Sequence, residues 1–561
     1  MNLHQKITWY IKRFSVMSAH DVLHRVGEQF TLKKLYLNYL FNKRHYSYSI
    51  ESFAFCSSSK SCLPVLKWNF NADVLELSGS TTDRWPRKFF NSIPYRDGNP
   101  YGDIRVAWEP ARLQELIELA FIKNQSGEKQ FLFWVKDNPP LLGIHYISVM
   151  ECGLRILSVC YALDKMRDKL ENPTETWNAL LQLVESHATL IEKRLSLYSS
   201  AGNHTIAECV GLIYAAVLFP EFKAAKRWKK KGLSILEQET ARQILPDGGG
   251  LEQSVWYLLF ITDLCGLTIK LLEHYDEVVP ISISSAYIRA KTFLNSFANS
   301  PKELPSIGDA DNGYALSPYL DISWDHNSSN TVCKTFDNSG YTLIQGKTFK
   351  LIFDHGSLGM SPSYGHGHAD ALSIILQVDG ENILVDSGTY SYTGNWRNYF
   401  RSTKAHNTIN IDNQDQAIQE TAFMWSKPFQ CQLVHNDGKF LLAKHNGYQR
   451  ISNIIHWRGI IYYPVGIFII WDYITGEGSH NIELNWHCRL PIDLSIEGSQ
   501  SIQNIKTWQS NYYGHKEAIN TITASTSNQL PQTLITRINL NAAAAKININ
   551  DDIEKFKEWI T

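Results

Sequence analysis

The sequence predicts a multidomain α + β protein: a helical α/α array followed by an antiparallel β-sandwich. Three observations lead there. The chain has 561 residues, more than one hydrophobic core accommodates. Up to about residue 300, apolar side chains recur at helical spacing in segments joined by short connections. Beyond about residue 330, the pattern changes to short alternating runs separated by turn signals. The polar stretch 321–330 reads as the connection, so the domains are expected at 1–325 and 326–561.

Residues 20–46 mix apolar and basic side chains at helical spacing, and 110–123 (PARLQELIELAFIK) are amphipathic, with Pro110 tolerated in a first turn. Residues 146–170 form a longer helix. Asn172-Pro173-Thr174-Glu175 starts the next, with Asn as cap and Pro at the first position, and it runs to about residue 197. Further helices are expected from Thr205 through Ala216, over 226–244 up to Pro246-Asp247-Gly248, and from Leu251 to about Tyr275. Such helices build a toroid or a solenoid, and no internal repeat is visible. Strands are expected at 341–345, 349–353, 408–411, 460–463, 467–471 and 481–486. Residues 372–378 and 383–385 flank Asp379-Gly380, a favoured hairpin pair. The last seventy or so residues carry no pattern that assigns them.

Composition narrows the partners. With 54 basic and 55 acidic residues, the chain has no global positive field to attract nucleic acid or anionic membrane. Its 44% hydrophobic and 19% charged residues are those of an ordered globular chain. Aromatic residues reach 12%, which suits stacking on sugars and equally suits a large β core. The nine cysteines show no CxxC pair and no zinc-finger spacing, which points to free thiols. Residues 1–12 are basic and amphipathic, without the apolar core and cleavage site of a signal peptide. The most apolar run, 460–471, is short and contains Pro464 and Gly466, so no transmembrane segment is expected.

Chemistry concentrates between Tyr364 and Asn407. Tyr364-Gly365-His366-Gly367-His368-Ala369-Asp370 is followed by Asp386 and, after Trp396-Arg397 and Arg401, by His406-Asn407. Two imidazoles and a carboxylate from this set suit a divalent metal such as zinc. The ordinary alternative is hydrogen-bonded histidines in polar loops. Their density, and the glycines that permit close backbone approach, favour a functional site.

The strings GHGHADALSIILQVDGENILVDSGTY and WRNYFRSTKAHNTINID resemble the heparinase II/III family of polysaccharide lyases, which includes heparin-sulfate lyase-like and alginate lyase-like members. The resemblance implies an α/α toroid (incomplete barrel) ahead of the β-sandwich. It implies that His366 is catalytic and that His368, Asp386 and His406 hold a structural, zinc-like metal. Gly202-Asn203-His204 through Glu208 is similar to the family's Asn-His helix start, and Asp247-Gly248 with Glu252-Gln253-Ser254-Val255-Trp256-Tyr257 resembles its DG…EQSxxY element. Weaker matches are 103–109, Met150-Glu151 with Arg155, and the loop Gly308-Asp309-Ala310-Asp311-Asn312-Gly313. The likeness covers roughly residues 100–490. One departure is His145-Tyr146 where many relatives carry Asn-Trp, a change expected to alter sugar contacts.

A uronate lyase removes the C5 proton beside the sugar carboxylate, so that carboxylate must be neutralised by a hydrogen-bond donor. The resemblance gives this role to Asn203, with His204 assisting; a plain helix cap is the alternative for Asn203. Tyr257 is expected as acid and available as base, and His366 as base or partner. Glu208 lies four residues after His204, on the same helix face, where it contributes to substrate binding or orients the imidazole. Arg397 and Arg401 suit anionic sugar groups, and structural salt bridges explain them equally well. The metal would tie three β segments together and place His366. The expected activity is a carbon–oxygen lyase acting by β-elimination on an anionic, uronic-acid-containing polysaccharide. The expected cleft lies where the two domains meet.

Three other readings compete with this one. A glycoside hydrolase needs two opposed carboxylates, and Glu208, Glu252, Asp309 and Asp311 offer no distinctive pair. A non-catalytic glycan-binding relative in polysaccharide biosynthesis does not need Tyr257 or His366. A metal hydrolase has no HExxH helix to support it. Family resemblance points to the periplasm or cell envelope, whereas the bare N-terminus points to the cytoplasm.

Overall fold

The structure is a computed structural model that describes residues 18–41, 48–68, 84–96, 98–122, 126–298, 304–311, 313–316, 333–464, 466–540 and 548–560. The expectations for 1–12 and for the connection 321–330 fall outside these residues, as does Asn312. A helical domain precedes an antiparallel sheet domain, as the sequence predicts. By compactness the chain forms two units. The first comprises Met1–Gln243, Leu259–Ile288 and Tyr314–Ser323; the second comprises Ile244–Leu258, Arg289–Gly313 and Trp324–Thr561.

The longer helices are α1 (Ala19–Phe41), α2 (Glu115–Phe121), α3 (Ser126–Asp137), α4 (Val149–Met166), α5 (Pro173–Arg194), α6 (Asn203–Leu218), α7 (Ala225–Gln243), α8 (Val255–His274) and α9 (Ile281–Phe297). In the first unit α4 and α6 cross at backbone contact: a Cβ on Gly211 would lie 2.6 Å from Gly153 Cα. Two expectations need correction. The amphipathic run 110–123 is not one helix, because Leu113 adopts a left-handed φ of 59° that separates the short turn Pro110–Arg112 from α2. Asn172 does not cap α5 with its side chain; instead the Glu128 carboxylate accepts from the backbone N–H groups of Glu171 and Asn172 and from Thr176 Oγ1. A buried carboxylate thus ties the two residues ahead of the helix to its first turn, at the positive end of the helix dipole.

The strands are β1 (Cys333–Phe336), β2 (Tyr341–Gln345), β3 (Phe349–Asp354), β4 (Ile374–Val378), β5 (Glu381–Leu384), β6 (Ile409–Ile411), β7 (Ile418–Thr421), β8 (Met424–Ser426) and β9 (Cys431–Asn436). They continue with β10 (Phe440–His445), β11 (Ile455–Tyr463), β12 (Ile467–Thr475), β13 (Ser479–Cys488), β14 (Asp493–Glu497), β15 (Ser501–Tyr512), β16 (His515–Gln529) and β17 (Gln532–Asn539). One sheet runs β1-β2-β3-β4-β5-β13-β16-β15 with β6 also on β13, and a second runs β14-β17-β12-β11-β10-β9. Leu351, Phe353, Leu376 and Trp486 of the first sheet share one core with Leu441, Phe468, Ile470 and Leu534 of the second, which makes the pair a sandwich. The β4–β5 hairpin turns at Asp379 and Gly380, both at positive φ, as that residue pair predicts.

The C-terminal residues that the sequence left unassigned complete both sheets. Helix α11 (Asn550–Ile560) then lays Ile553 and Phe556 on the outer face of the second sheet, against Ile461, Ile469 and Trp471. The apolar run 460–471 is two strands of that sheet. Among the described residues one helix, α8, is long and apolar enough to cross a membrane, but most of it is buried, as in a core helix.

Candidate active site

The second unit gathers three of the predicted residues, His366, His368 and Arg397, around one carboxylate that the sequence did not single out. Asp309 is fully buried, and its two oxygens serve two imidazoles. His366 Nδ1 is 2.8 Å from Oδ2, and His368 Nε2 is 3.0 Å from Oδ1. Gly367 makes this possible, since a Cβ there would lie 1.6 Å from the Leu358 carbonyl oxygen. The backbone N–H of Asp309 donates to the His366 carbonyl, and its own carbonyl accepts from Ser254 Oγ. Arg397, on α10 (Gly394–Arg401), pairs with both carboxylate oxygens. Burial pushes the Asp309 carboxyl up. The Arg397 charge and the hydrogen bonds from His366 and His368 outweigh it and hold the group well below the usual carboxylate range.

His366 stacks on Tyr257, with ring centroids 4.1 Å apart, and keeps 17% of its side chain exposed. Burial lowers its proton affinity, yet the charges of Glu252 and Asp309 raise it above the ordinary imidazole value. The Tyr257 hydroxyl donates to Asp311 Oδ2 at 3.0 Å and lies 2.7 Å from the Tyr392 hydroxyl. Tyr257 sits in the first turn of α8, where its backbone N–H donates to Ser254 Oγ.

Behind this surface His368, Asp386 and His406 converge, with one ligand atom from each lying within 4.8 Å of the others. All three are buried. Among the described residues His368 Nδ1 and His406 Nε2 have no hydrogen-bond partner, which suits nitrogens that face a cation. Burial outweighs the Asp309 carboxylate and pulls His368 down to about 4, leaving the neutral imidazole that ligation requires. Asp309 on the far nitrogen of His368 is the outer carboxylate that typically orients a ligating histidine. This donor set fits a divalent metal.

Two family models match in sequence order: "Heparinase II/III N-terminus" over residues 125–317 and "Heparinase II/III-like, C-terminal" over 329–546. The chain belongs to the heparinase II/III family. Its curated relatives include a heparin-sulfate lyase of Pedobacter heparinus, 23% identical over 437 residues, covering 70% of this chain and 63% of the relative. A heparin-sulfate lyase of Bacteroides stercoris is 24% identical over 455 residues, covering 69% and 64%. The chain thus spans somewhat less than two thirds of these relatives' length. The solved structure of a heparinase III has the same fold, with TM-score 0.65 and 18% identity over 94% of this chain and 93% of that one. A heparan sulfate lyase structure from Pedobacter heparinus gives TM-score 0.54 at 16% identity, over 95% and 91%.

The remaining expected residues of this heparinase II/III chain divide. In the first unit, Asn203 and His204 open α6, with Gly202 at the cap position, so the cap alternative for Asn203 does not hold. The substrate-binding role expected of Glu208 needs correction. It is fully buried, and its carboxylate accepts from Ser196 N and Oγ, both at 2.7 Å. Burial raises its pKa to about 8 against those hydrogen bonds. Arg397 and Arg401 are likewise fully buried. For Arg397 the ion-pair alternative is realised with Asp309; Arg401 donates to the Thr421 and Ala422 carbonyls and lies 4.3 Å over the Trp425 ring. Neither guanidinium presents itself to a polymer. His145 and Tyr146 are also buried, so their departure from the family pattern falls on packing. Sequence reasoning missed Asp309 as the hub, and it missed Tyr392. The only signals were the match at 308–313 and the tyrosine two residues after Tyr390.

Proposed function

We propose that this chain is a polysaccharide lyase that cleaves a uronic-acid-containing polysaccharide by β-elimination. The stacked Tyr257–His366 pair carries the reading, because it sets two proton-transfer groups side by side with one still partly exposed. In the reaction a base takes the C5 proton, the electron pair forms the C4–C5 double bond, and the C4–O4 bond breaks as O4 receives a proton. The charges of Glu252 and Asp309 strengthen His366 as an acceptor, and the phenol of Tyr257 is a donor. Family resemblance supports Asn203 as the group that neutralises the uronate carboxylate, with His204 assisting. Their place in the first turn of α6 adds helix N–H groups that favour an anion. The names of the heparin-sulfate lyases support a uronate polymer.

A zinc ion held by His368, Asp386 and His406 would be structural, tying the segments before β4, after β5 and before β6 together. A glycoside hydrolase is less well supported, because the carboxylate at the centre, Asp309, is fixed as an ion pair and is not available for acid–base work.

The test is incubation with a panel of uronate polymers, heparan-type chains and alginate included, followed by ultraviolet absorbance of the unsaturated product. Tyr257→Phe should abolish the signal. Absence of signal on every polymer, or equal activity in the variant, would sink the reading.

A further inference from the structure

Tyr257 is one corner of a closed hydrogen-bonded triangle. Asp311 Oδ2 lies 3.0 Å from the Tyr257 hydroxyl and 2.6 Å from the Tyr392 hydroxyl, and the two hydroxyls are 2.7 Å apart. Asp311 and Tyr392 are both buried. Two phenolic protons therefore serve three short contacts, and one contact is always without a proton of its own.

We infer that Asp311 and Tyr392 are a positioning pair that keeps Tyr257 protonated and directs it to act as the proton donor. A carboxylate in hydrogen-bond contact with a phenol opposes formation of tyrosinate, because like charges would meet in a partly buried site. Other charges face the pair as well. The His366 ring stacks on Tyr257, Glu252 and Asp309 act on His366, and the Arg397 guanidinium lies 5.0 Å over the Tyr392 ring. Arg397 is already paired with both oxygens of Asp309, and the Asp311 carboxylate is in hydrogen-bond contact with both hydroxyls. Tyr392 is held in place by its neighbours. Its ring packs on Phe423 and Tyr513, and its backbone N–H donates to the Tyr513 hydroxyl.

For its kinetic consequence the inference rests on the lyase reading above. When the Tyr257 O–H bond breaks and its proton forms the O–H of departing O4, the Tyr392 hydroxyl can turn from Asp311 to the new phenolate. The C5 proton held by the base, His366 in this scheme, then replaces the one given up, and no proton is gained or lost overall. Tyr257 is thus the acid, and the base lies elsewhere.

The pair is tested without substrate by ultraviolet-difference titration of tyrosinate, taking wild type minus Tyr257→Phe, and repeating the difference in an Asp311→Asn background. Tyr257 should titrate above the ordinary value of about 10, and loss of the Asp311 charge should move it down by about one pH unit or more. On any polymer that yields unsaturated product, Asp311→Asn should shift the alkaline limb of kcat to lower pH. Tyr392→Phe should lower kcat about tenfold while KM and the thermal midpoint stay unchanged. Should Asp311→Asn fail to fold, Tyr392→Phe alone decides by its kcat–KM split. Unmoved tyrosinate titration and alkaline limb, or a rise in KM at constant kcat, would overturn the inference. If no polymer is cleaved, the lyase reading fails separately, and the titration still decides the role of the pair.

Discussion

At the scale of single residues, the site is governed by buried charge. Asp309 remains ionised because Arg397 and two imidazoles compensate it, so removing Arg397 strands a carboxylate in the interior. Arg397→Met should cost about 3–5 kcal/mol of stability, read as a shift in the urea unfolding midpoint. Glu208 shows the opposite balance. Its folded pKa, about 8, lies above that of the unfolded chain, so between roughly pH 4.5 and 8 the native state binds more protons. Stability contributed by this group is therefore present at low pH and is lost as pH rises through that window. Glu208→Gln should flatten the decline in thermal midpoint across the same range; an unchanged slope would refute the assignment. The histidine strings were legible as a cluster because His366, His368, Asp386 and His406 lie close in sequence. Asp309 and Tyr392 were not, because their roles come from partners 57 to 135 residues away.

At the scale of elements, two short segments fix much of the sheet unit. The segment around Gly367 lets His366 and His368 reach one carboxylate, and no side chain fits between Gly367 and the Leu358 carbonyl. Gly367→Ala should therefore displace both imidazoles, lowering metal affinity and activity together, measurable by metal titration and product absorbance. Helix α11 lies in the C-terminal stretch whose sequence carries no assignable pattern, yet it covers an apolar sheet face. Phe556 is fully buried and stacks on Trp471 with ring centroids 5.4 Å apart. Phe556→Ala should cost about 3–5 kcal/mol in denaturant unfolding, with a red shift in Trp emission as Trp471 becomes wetted.

At the scale of the whole molecule, the proposed metal would join the segments before β4, after β5 and before β6. Dialysis against a chelator should lower the thermal midpoint, and added zinc should restore it. Loss of activity should track loss of structure, since an ion held by His368, Asp386 and His406 would support His366 without being needed at the reacting bond. Activity lost at an unchanged midpoint would instead favour direct metal catalysis.

By itself, the sequence determined the class of the fold, most strands of the sandwich and the Asp379-Gly380 hairpin, because each is written in local periodicity or turn chemistry, and its resemblance to a known family pointed to His368, Asp386 and His406 as a candidate ligand set. It also carried the family. Only the tertiary structure decided that Glu128 holds the backbone ahead of α5, that Arg397, Arg401 and Glu208 are buried, and that Asp309 and Asp311 bond to His366, His368 and Tyr257. The physical reason is common to all of these. Whether a charged side chain meets solvent, a polymer or a buried partner depends on which distant segments pack against it, and local sequence does not encode that packing.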